Sequence, residues 1–283
     1  MLTHSPSPAR DVTVRTVDGS ITATGRALSK STAFVIAFTL LTAAAALLLP
    51  AVPQPLDYHA FADRRGALGI DNFLDVVSNV AFLLAGLAGL VVVFSGRARF
   101  EFPIERWPYA VFFLGILLTA AGSAWYHLSP DNETLFWDRL PMTVAFMGLV
   151  SSQVVDRISV RAGLILLGPM LLVGIASVGY WIATERMGAG NVLPYALLQG
   201  YAVIVLLMMA ALHRSRYTRA SDLYFIFGWY VLAKLLEFFD GQVLAVSHII
   251  SGHSLKHVAA AAAGFVACRM LMRRTLAAPD RTA

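Results

Sequence analysis

The chain has 283 residues, of which 58% are hydrophobic and 14% are charged, and its net charge is +5. Soluble domains carry about a quarter charged residues, so this composition indicates an integral membrane protein and excludes an ordinary soluble domain. The basic residues lie in short segments between apolar runs, which argues against a nucleic-acid partner. The single cysteine, Cys268, excludes an internal disulfide.

A polar N-terminal segment precedes eight apolar runs. Residues 1–31 are rich in serine, threonine and proline and are predicted to form a cytoplasmic tail. The runs cover residues 32–52, 73–95, 108–126, 141–155, 162–182, 193–213, 222–240 and 254–273. A helix needs about 20 apolar residues to cross a bilayer, and only the fourth run is clearly short. The predicted fold is all-α and integral to a membrane: a seven-helix transmembrane bundle over residues 73–273, preceded by one extra N-terminal transmembrane helix.

Loop charges predict the topology. Arginine and lysine recur in the N-terminal tail, in the loops after the second, fourth and sixth runs, and at the C-terminus. The positive-inside rule places these alternate segments in the cytoplasm, together with a C-terminal tail over residues 276–283. The other loops, near residues 53–72, 127–140, 183–192 and 241–253, then face outward. We predict a retained first helix over residues 32–52 and a seven-helix domain over residues 53–275.

Histidines concentrate at the outward ends of the predicted helices. His127 ends the third run, whereas His253 and His257 lie four positions apart at the start of the eighth run. Residues at this spacing share one face of a helix. Catalytic zinc is typically held by three protein ligands, which these histidines can supply. The alternatives are interfacial polar caps or a ligand set that includes His248.

A serine and an acid accompany the first of these histidines. Ser123 lies one helical turn before His127, and Asp138 follows in the same polar stretch. An acid beside a metal can act as a general base, and a hydroxyl can stabilise a developing oxyanion. Alternatively, Asp138 caps the fourth helix or pairs with Arg139, and Ser123 serves close helix packing beside Gly122.

The seventh run carries charges at three-residue spacing. Lys234 and Glu237 are predicted to pair inside the bundle. Alternatively, Glu237 and Asp240 hydrogen-bond to a histidine ligand.

The first outward segment is acidic. Asp57, Asp63, Asn72 and Asp75 offer oxygen ligands of the kind that calcium prefers. Their spacing matches no EF-hand, so a solvated loop is the competing interpretation.

Three motifs together resemble the alkaline ceramidases. They are Gly122-Ser123-Ala-Trp-Tyr-His127, Asp138-Arg-Leu-Pro141-Met142 and His253-Ser-Leu-Lys-His257, with a Ser78-Asn79 pair in the second run. The resemblance extends from about residue 57 to the end of the chain. The chain also resembles the wider superfamily of membrane hydrolases and receptors that contains the adiponectin receptors.

This resemblance implies a seven-helix core in which His127, His253 and His257 hold zinc, with Ser123 and Asp138 at the metal. It implies hydrolysis of the amide of a ceramide to a sphingoid base and a fatty acid, as part of sphingolipid metabolism. The animal members also bind calcium near their first helix. This chain departs from them there, with Tyr58 and Asn72 in place of a tryptophan and a glutamate. The extra first helix is similar to bacterial members, which implies a bacterial inner membrane, and the loop charges predict that the site lies at its outer face.

We therefore predict a zinc-dependent amidase that acts on a lipid within the bilayer. One alternative is a zinc-dependent esterase or phospholipase. The other is a receptor-like lipid-binding protein whose zinc is structural. A structural site would be closed by a fourth protein ligand, with His248 and Asp138 as candidates.

Overall fold

A computed structural model describes residues 29–278, so most of the predicted N-terminal tail and the last five residues lie outside the described part of the chain. The α-helices are α1 (Lys30–Leu48), α2 (Phe73–Val77), α3 (Val80–Phe94), α4 (Arg106–Leu128), α5 (Asn132–Arg157), α6 (Val160–Arg186), α7 (Leu193–Leu212), α8 (Asp222–Phe238), α9 (Asp240–Ser247) and α10 (Gly252–Arg273). Short 3-10 turns occupy Leu56–His59 and Pro103–Glu105. No β-strand forms within residues 29–278.

The protein is a multi-pass, all-α membrane bundle, as the composition predicts. Within residues 29–278, six helical segments are long and apolar enough to cross a membrane: Lys30–Leu48, Phe73–Phe94, Pro103–Leu128, Val160–Arg186, Leu193–Leu212 and Gly252–Arg273. Helix α5, which has 26 residues and is more polar, and helix α8, which has only 17 residues, pack among them. Large apolar side chains cover the outside of the bundle; Leu172 and Phe225, for example, are 68% and 58% exposed. Such a surface is suited to lipid rather than to water.

The helices alternate in direction, which gives the bundle two distinct ends. We name the end that contains His127, His253 and His257 the histidine end, and the opposite end the arginine end. The predicted basic loops meet at the arginine end. There Arg157 donates to the carbonyl of His213 at 2.8 Å, and the Thr218 amide donates to the carbonyl of Thr275 at 2.8 Å.

The helix predicted from the fourth apolar run starts too late in the sequence. Helix α5 begins at Asn132, so residues 132–140 are helical rather than part of a loop. The Asp131 side chain accepts from the Thr134 amide at 2.7 Å, and the Thr134 hydroxyl accepts from the Asp131 amide at 3.1 Å. This capping box starts the helix within a polar stretch, so a prediction based on apolar residues alone misses the first turns. Pro141 consequently lies inside the helix rather than near its start.

Two other predicted boundaries also differ. The second run is divided into α2 and α3 at Ser78 and Asn79. The predicted outward loop 241–253 contains the short helix α9, which ends at His248 in a left-handed conformation with φ of 57°. Both differences lie at the histidine end, where Ser78 contacts His257 and Asp240 contacts the His253 amide.

The first helix packs on the periphery of the bundle. It contacts α7, where the Phe38 and Tyr201 rings stack at 5.9 Å and the Thr39 and Tyr201 hydroxyls lie 3.1 Å apart. Val35 is the only buried residue of this helix. This helix therefore adds to the bundle without lining its interior.

The arginine end is closed by buried ion pairs. Arg274 is 1% exposed and donates to the Asp156 carboxylate at 2.7 Å. The Tyr109 hydroxyl donates to the same carboxylate oxygen at 2.6 Å. Arg216 donates to the buried Glu105 carboxylate at 2.9 Å. The contacts of Asp156 fasten the C-terminal end of α10 to α4 and α5, and the pair of Arg216 with Glu105 fastens the segment between α7 and α8 to the turn before α4.

Candidate metal centre

Three buried histidines meet at the histidine end. His127 lies in the last turn of α4, and His253 and His257 lie in the first two turns of α10. Their ring centroids are 4.8, 5.0 and 5.2 Å apart, and one ring nitrogen from each lies within 4.8 Å of the others. The predicted ligands therefore come together, from two helices that are distant in sequence.

The hydrogen bonding of these rings fits a bound metal ion. Nδ1 of His127 and Nε2 of His253 are buried and have no partner among the described residues. His257 uses Nδ1 for a 2.7 Å contact with the Ser78 hydroxyl, so Nε2 is the nitrogen that it could offer to a metal ion. Buried polar atoms are usually hydrogen-bonded, so unpartnered nitrogens that converge need a shared partner. Three neutral imidazoles are a donor set that transition-metal ions accept.

The contact with Ser78 also fixes the orientation of one ligand. The break between α2 and α3 puts the Ser78 hydroxyl beside His257, although the two residues are 179 positions apart. A hydrogen bond on the second ring nitrogen holds the tautomer and the angle of a histidine ligand. The Ser78-Asn79 pair is visible in the sequence, but this contact is not, because it depends on packing between α10 and the start of α3.

A phenylalanine covers two of the three rings. The Phe61 centroid lies 4.7 Å from that of His127 and 4.7 Å from that of His253. The Asp240 carboxylate accepts from the Ala62 amide at 2.9 Å and from the His253 amide at 2.7 Å. Asp240 thus contacts a predicted ligand, through its backbone, and also holds the segment that carries the cover. The sequence predicted that Asp240 ends the same helix as Glu237, but Asp240 instead begins α9.

Glu237 is engaged by lysines. It pairs with Lys234, as predicted, and accepts from Lys256 at 2.7 Å. Among the described residues it makes no hydrogen bond to a histidine ring, so the alternative role predicted for it is not observed.

A close helix contact brings Ser123 and Asp138 together. A Cβ atom on Gly122 would lie 2.0 Å from the carbonyl oxygen of Trp137, so α4 and α5 can approach this closely only at a glycine. The Ser123 hydroxyl faces the Asp138 carboxylate across this contact, and both residues line one cavity with His257. The packing role considered for Ser123 therefore belongs to Gly122.

The two structural alternatives for Asp138 are wrong. The cap of α5 is Asp131, and Asp138 lies inside the helix two turns later. Within the described residues, Asp138 forms no ion pair with Arg139, whose guanidinium points among aromatic rings instead. Asp138 is also outside the group of side chains that are close enough to share a metal ion.

The other histidines at this end do not join the cluster. His248, considered as a rival ligand, is exposed at the end of α9. His59 uses both ring nitrogens, with the Tyr126 hydroxyl at 2.9 Å and Asn132 at 3.0 Å.

The residues considered for calcium do not form one site. They are Asp57, Asp63, Asn72 and Asp75. In residues 29–278 the histidine cluster is the only group of three or more His, Cys, Asp or Glu side chains that is close enough to hold a metal ion. Asp57 is exposed, and Asp63 pairs with Arg65 at 2.7 Å. Hydrogen bonds from Arg65 lower the pKa of the Asp63 carboxyl, which stabilises its charged form.

The remaining two of these residues support the histidine end. The Asn72 side chain donates to the carbonyl of His127 at 2.8 Å. The buried Asp75 carboxylate accepts from the Ser254 hydroxyl at 2.5 Å, at the start of α10. Both therefore fasten the segment before α3 to helices that carry the predicted ligands.

A cavity of about 400 Å³, which is lined by His257 of this cluster, extends into the bundle. Its lining on α4 runs from Ser123 through Thr119 and Ile116 to Phe112, a rise of about 16 Å. All five charged residues of the lining lie at the histidine end: Asp138, Arg139, Lys234, Glu237 and Lys256. The lining farther from this end is mainly apolar, with residues such as Phe146, Leu149, Leu206 and Ile226. The cavity thus offers a polar head and a long apolar tail.

Comparison of the chain with family models, with curated proteins and with solved structures found no match.

Proposed function

We propose that this protein is a zinc-dependent membrane hydrolase that cleaves the amide bond of a ceramide-like lipid. The observation that carries the proposal is the convergence of three buried, incompletely hydrogen-bonded histidines at the polar head of a long apolar cavity. The resemblance of the motifs to those of the alkaline ceramidases supports the same residues in the same roles.

His127, His253 and His257 would hold the metal ion. No fourth His, Cys, Asp or Glu side chain of the described residues belongs to this group. Three protein ligands with an open position are typical of catalytic zinc, whereas structural zinc is closed by a fourth ligand. The arrangement therefore favours an enzyme over a receptor-like protein with structural zinc. When bound, zinc polarises a carbonyl group and makes water a stronger nucleophile near neutral pH.

The chain's own residues would manage the proton and the developing charge. Asp138 accepts a proton from the attacking water and then gives it to the leaving amine, as the C–N bond breaks and a C–O bond forms. Ser123 donates a hydrogen bond to the amide oxygen as negative charge develops there. The apolar part of the cavity holds the acyl chain and keeps the amide at the histidine end.

We also propose an orientation in the membrane. The basic loops meet at the arginine end, and the positive-inside rule assigns such loops to the cytoplasm. Both chain termini would then be cytoplasmic, and the histidine cluster would lie at the outer face of a bacterial inner membrane.

The test combines elemental analysis with lipid hydrolysis. Purified wild-type protein is expected to contain stoichiometric zinc and to release fatty acid from an N-acylsphingosine in detergent micelles. A phosphatidylcholine with the same acyl chain serves as the ester comparison. His253→Ala should lose the zinc and reduce hydrolysis to the background rate, because one of three ligands is missing.

The matched control is His248→Asn. His248 is an exposed histidine in a left-handed conformation, which asparagine tolerates. This variant should retain both zinc and turnover. Wild-type protein that contains no zinc, or a His253→Ala variant that remains active, would overturn the proposal. Preferential hydrolysis of the phosphatidylcholine would instead identify an esterase.

A further inference from the structure

Arg139 is a buried cation without a polar partner. Its side chain lies in the second turn of α5, and the residue is 5% exposed. The guanidinium carbon is 5.2, 4.5 and 4.9 Å from the ring centroids of Tyr58, Trp181 and Tyr195. Nη1 is buried with no hydrogen-bond partner, and Arg139 forms no ion pair with another described residue. The aromatic rings stabilise its charge, but they supply no hydrogen-bond acceptor at the buried nitrogen.

This arrangement is unusual for a buried arginine. Buried charges are normally paired, since a charge removed from water without a partner is costly. Arg274, which is 1% exposed, follows this rule and contacts Asp156 at 2.7 Å. Arg139 differs from Arg274 because it has no carboxylate partner, and its Nη1 is buried without a hydrogen-bond acceptor. A guanidinium presents its donors in a planar fork that matches a carboxylate or a phosphate.

The position of Arg139 connects it to the candidate site. It lines the same cavity as its neighbour Asp138, and two of its aromatic contacts, Tyr58 and Tyr195, line that cavity as well. A ligand whose amide lies near Asp138 would therefore present its polar end to Arg139.

The charge of the cavity head favours an anion. The cations in the lining are Arg139, Lys234 and Lys256, and the carboxylates are Asp138 and Glu237. Glu237 already pairs with both lysines. Within the lining, cationic residues thus outnumber carboxylates before any metal ion is added, and this arrangement attracts negatively charged groups.

We propose that the lipid bound in this cavity carries an anionic oxygen group on its polar end, and that Arg139 binds this group. The inference rests on the proposed function and narrows its substrate class from ceramide-like lipids in general to those with an anionic headgroup. A phosphate or a carboxylate can accept two parallel hydrogen bonds from the guanidinium. The same chemistry is present in a headgroup and in a released fatty acid, and we assign Arg139 to the headgroup.

The decisive experiment compares two lipids that differ only in headgroup charge. Wild-type protein is assayed with an N-acylsphingosine and with its 1-phosphate, at matched acyl length. We expect kcat/KM to be about tenfold or more higher for the phosphate, the effect of one charge-assisted contact. Equal values, or a preference for the uncharged lipid, would overturn the inference.

Variants of Arg139 assign the preference to this residue. Arg139→Gln should reduce the ratio of the two kcat/KM values to about one, and Arg139→Lys should retain part of it, since lysine keeps the charge but not the planar fork. The matched control is Arg161→Gln, an exposed arginine at the arginine end, which should keep the wild-type ratio. An unchanged ratio in a folded Arg139→Gln variant would refute the assignment. If that variant does not fold, the wild-type ratio and Arg139→Lys decide the question.

Two further readouts separate the possible failures. If free fatty acid inhibits wild-type protein more than Arg139→Gln while no headgroup preference exists, Arg139 binds the product and the inference is wrong. If wild-type protein hydrolyses neither lipid, the proposed function fails, and thermal unfolding then tests binding alone. In that case the phosphate lipid should raise Tm more than the uncharged lipid, and only when Arg139 is present; equal shifts would overturn the inference.

Discussion

The two ends of the bundle bury charge in different ways. At the arginine end, Arg274 lies 2.7 Å from Asp156, and Arg216 lies 2.9 Å from Glu105. At the histidine end, three imidazoles face one another, and Arg139 has no carboxylate partner. Buried polar groups are therefore not by themselves a sign of function in this protein. Buried atoms without a hydrogen-bond partner occur at both ends, for example Nη2 of Arg274 and Nη1 of Arg139. In the described part of the chain, however, the histidine end is the one that combines a buried arginine lacking a carboxylate with three imidazoles that can share a metal ion.

This difference has an energetic meaning. Paired buried charges fasten helices, and removal of one partner leaves an uncompensated charge. The clustered imidazoles and the Arg139 guanidinium contribute little to folding until a metal ion or a ligand binds, because their burial removes them from water without a compensating partner. We therefore expect substitutions at the arginine end to change stability, and substitutions at the histidine end to change metal binding and turnover.

Asp138→Asn should have the largest effect of the three variants proposed for this comparison. An amide cannot accept the proton, so kcat should fall by about 10² to 10⁴ while zinc content and Tm remain close to wild type. The control is Asp131→Asn in the same helix, because asparagine caps a helix about as well as aspartate. Loss of zinc from Asp138→Asn would show that Asp138 is a ligand, and full activity would show that it is not the base.

Asp156→Asn should weaken the fold at the arginine end. It leaves Arg274 buried without its carboxylate, at a cost of about 3 to 5 kcal/mol in the free energy of unfolding. Zinc per folded chain should not change. Denaturant unfolding in detergent gives the free energy, and Glu133→Gln is the control because its pair with Arg186 is exposed. A stable Asp156→Asn variant that loses zinc would contradict the division of roles between the two ends.

Ser78→Ala should have the smallest effect of the three. It removes the hydrogen bond that orients His257 and should lower zinc affinity about 10- to 100-fold. Competition with a chelator of known affinity measures this change. Ser95→Ala, at an exposed site after α3, should leave the affinity unchanged. An equal affinity in both variants would show that the contact with Ser78 does not position the ligand.

The sequence predicted the histidine cluster better than its surroundings. His253 and His257 share a helical face by spacing alone, and alternation of the helices puts His127 at the same end. The position of Asp138 was predicted less well, because a polar capping box begins α5 where apolarity predicts a loop. The oxygen-rich first outward segment suggested calcium, although the chain departs there from the family that it resembles, and Asp63 pairs with Arg65 instead.

The contacts of Ser78 and Arg139 lay beyond sequence reasoning for a common reason. Ser78 meets a residue 179 positions away, and the rings around Arg139 come from a loop and two other helices. Such contacts depend on how each helix is rotated about its axis relative to its neighbours. The periodicity and residue spacing of one segment do not determine that relative rotation.

Asp240 gives the histidine end a single shared support. Its two carboxylate oxygens hold the amide beside Phe61 and the amide of His253. Dryness around the imidazoles and the placement of one of them thus depend on the same side chain. Loss of the Asp240 carboxylate would therefore expose the imidazoles to water and release the backbone of His253 at the same time. Solvent access to the cluster and the position of one candidate ligand are thus coupled.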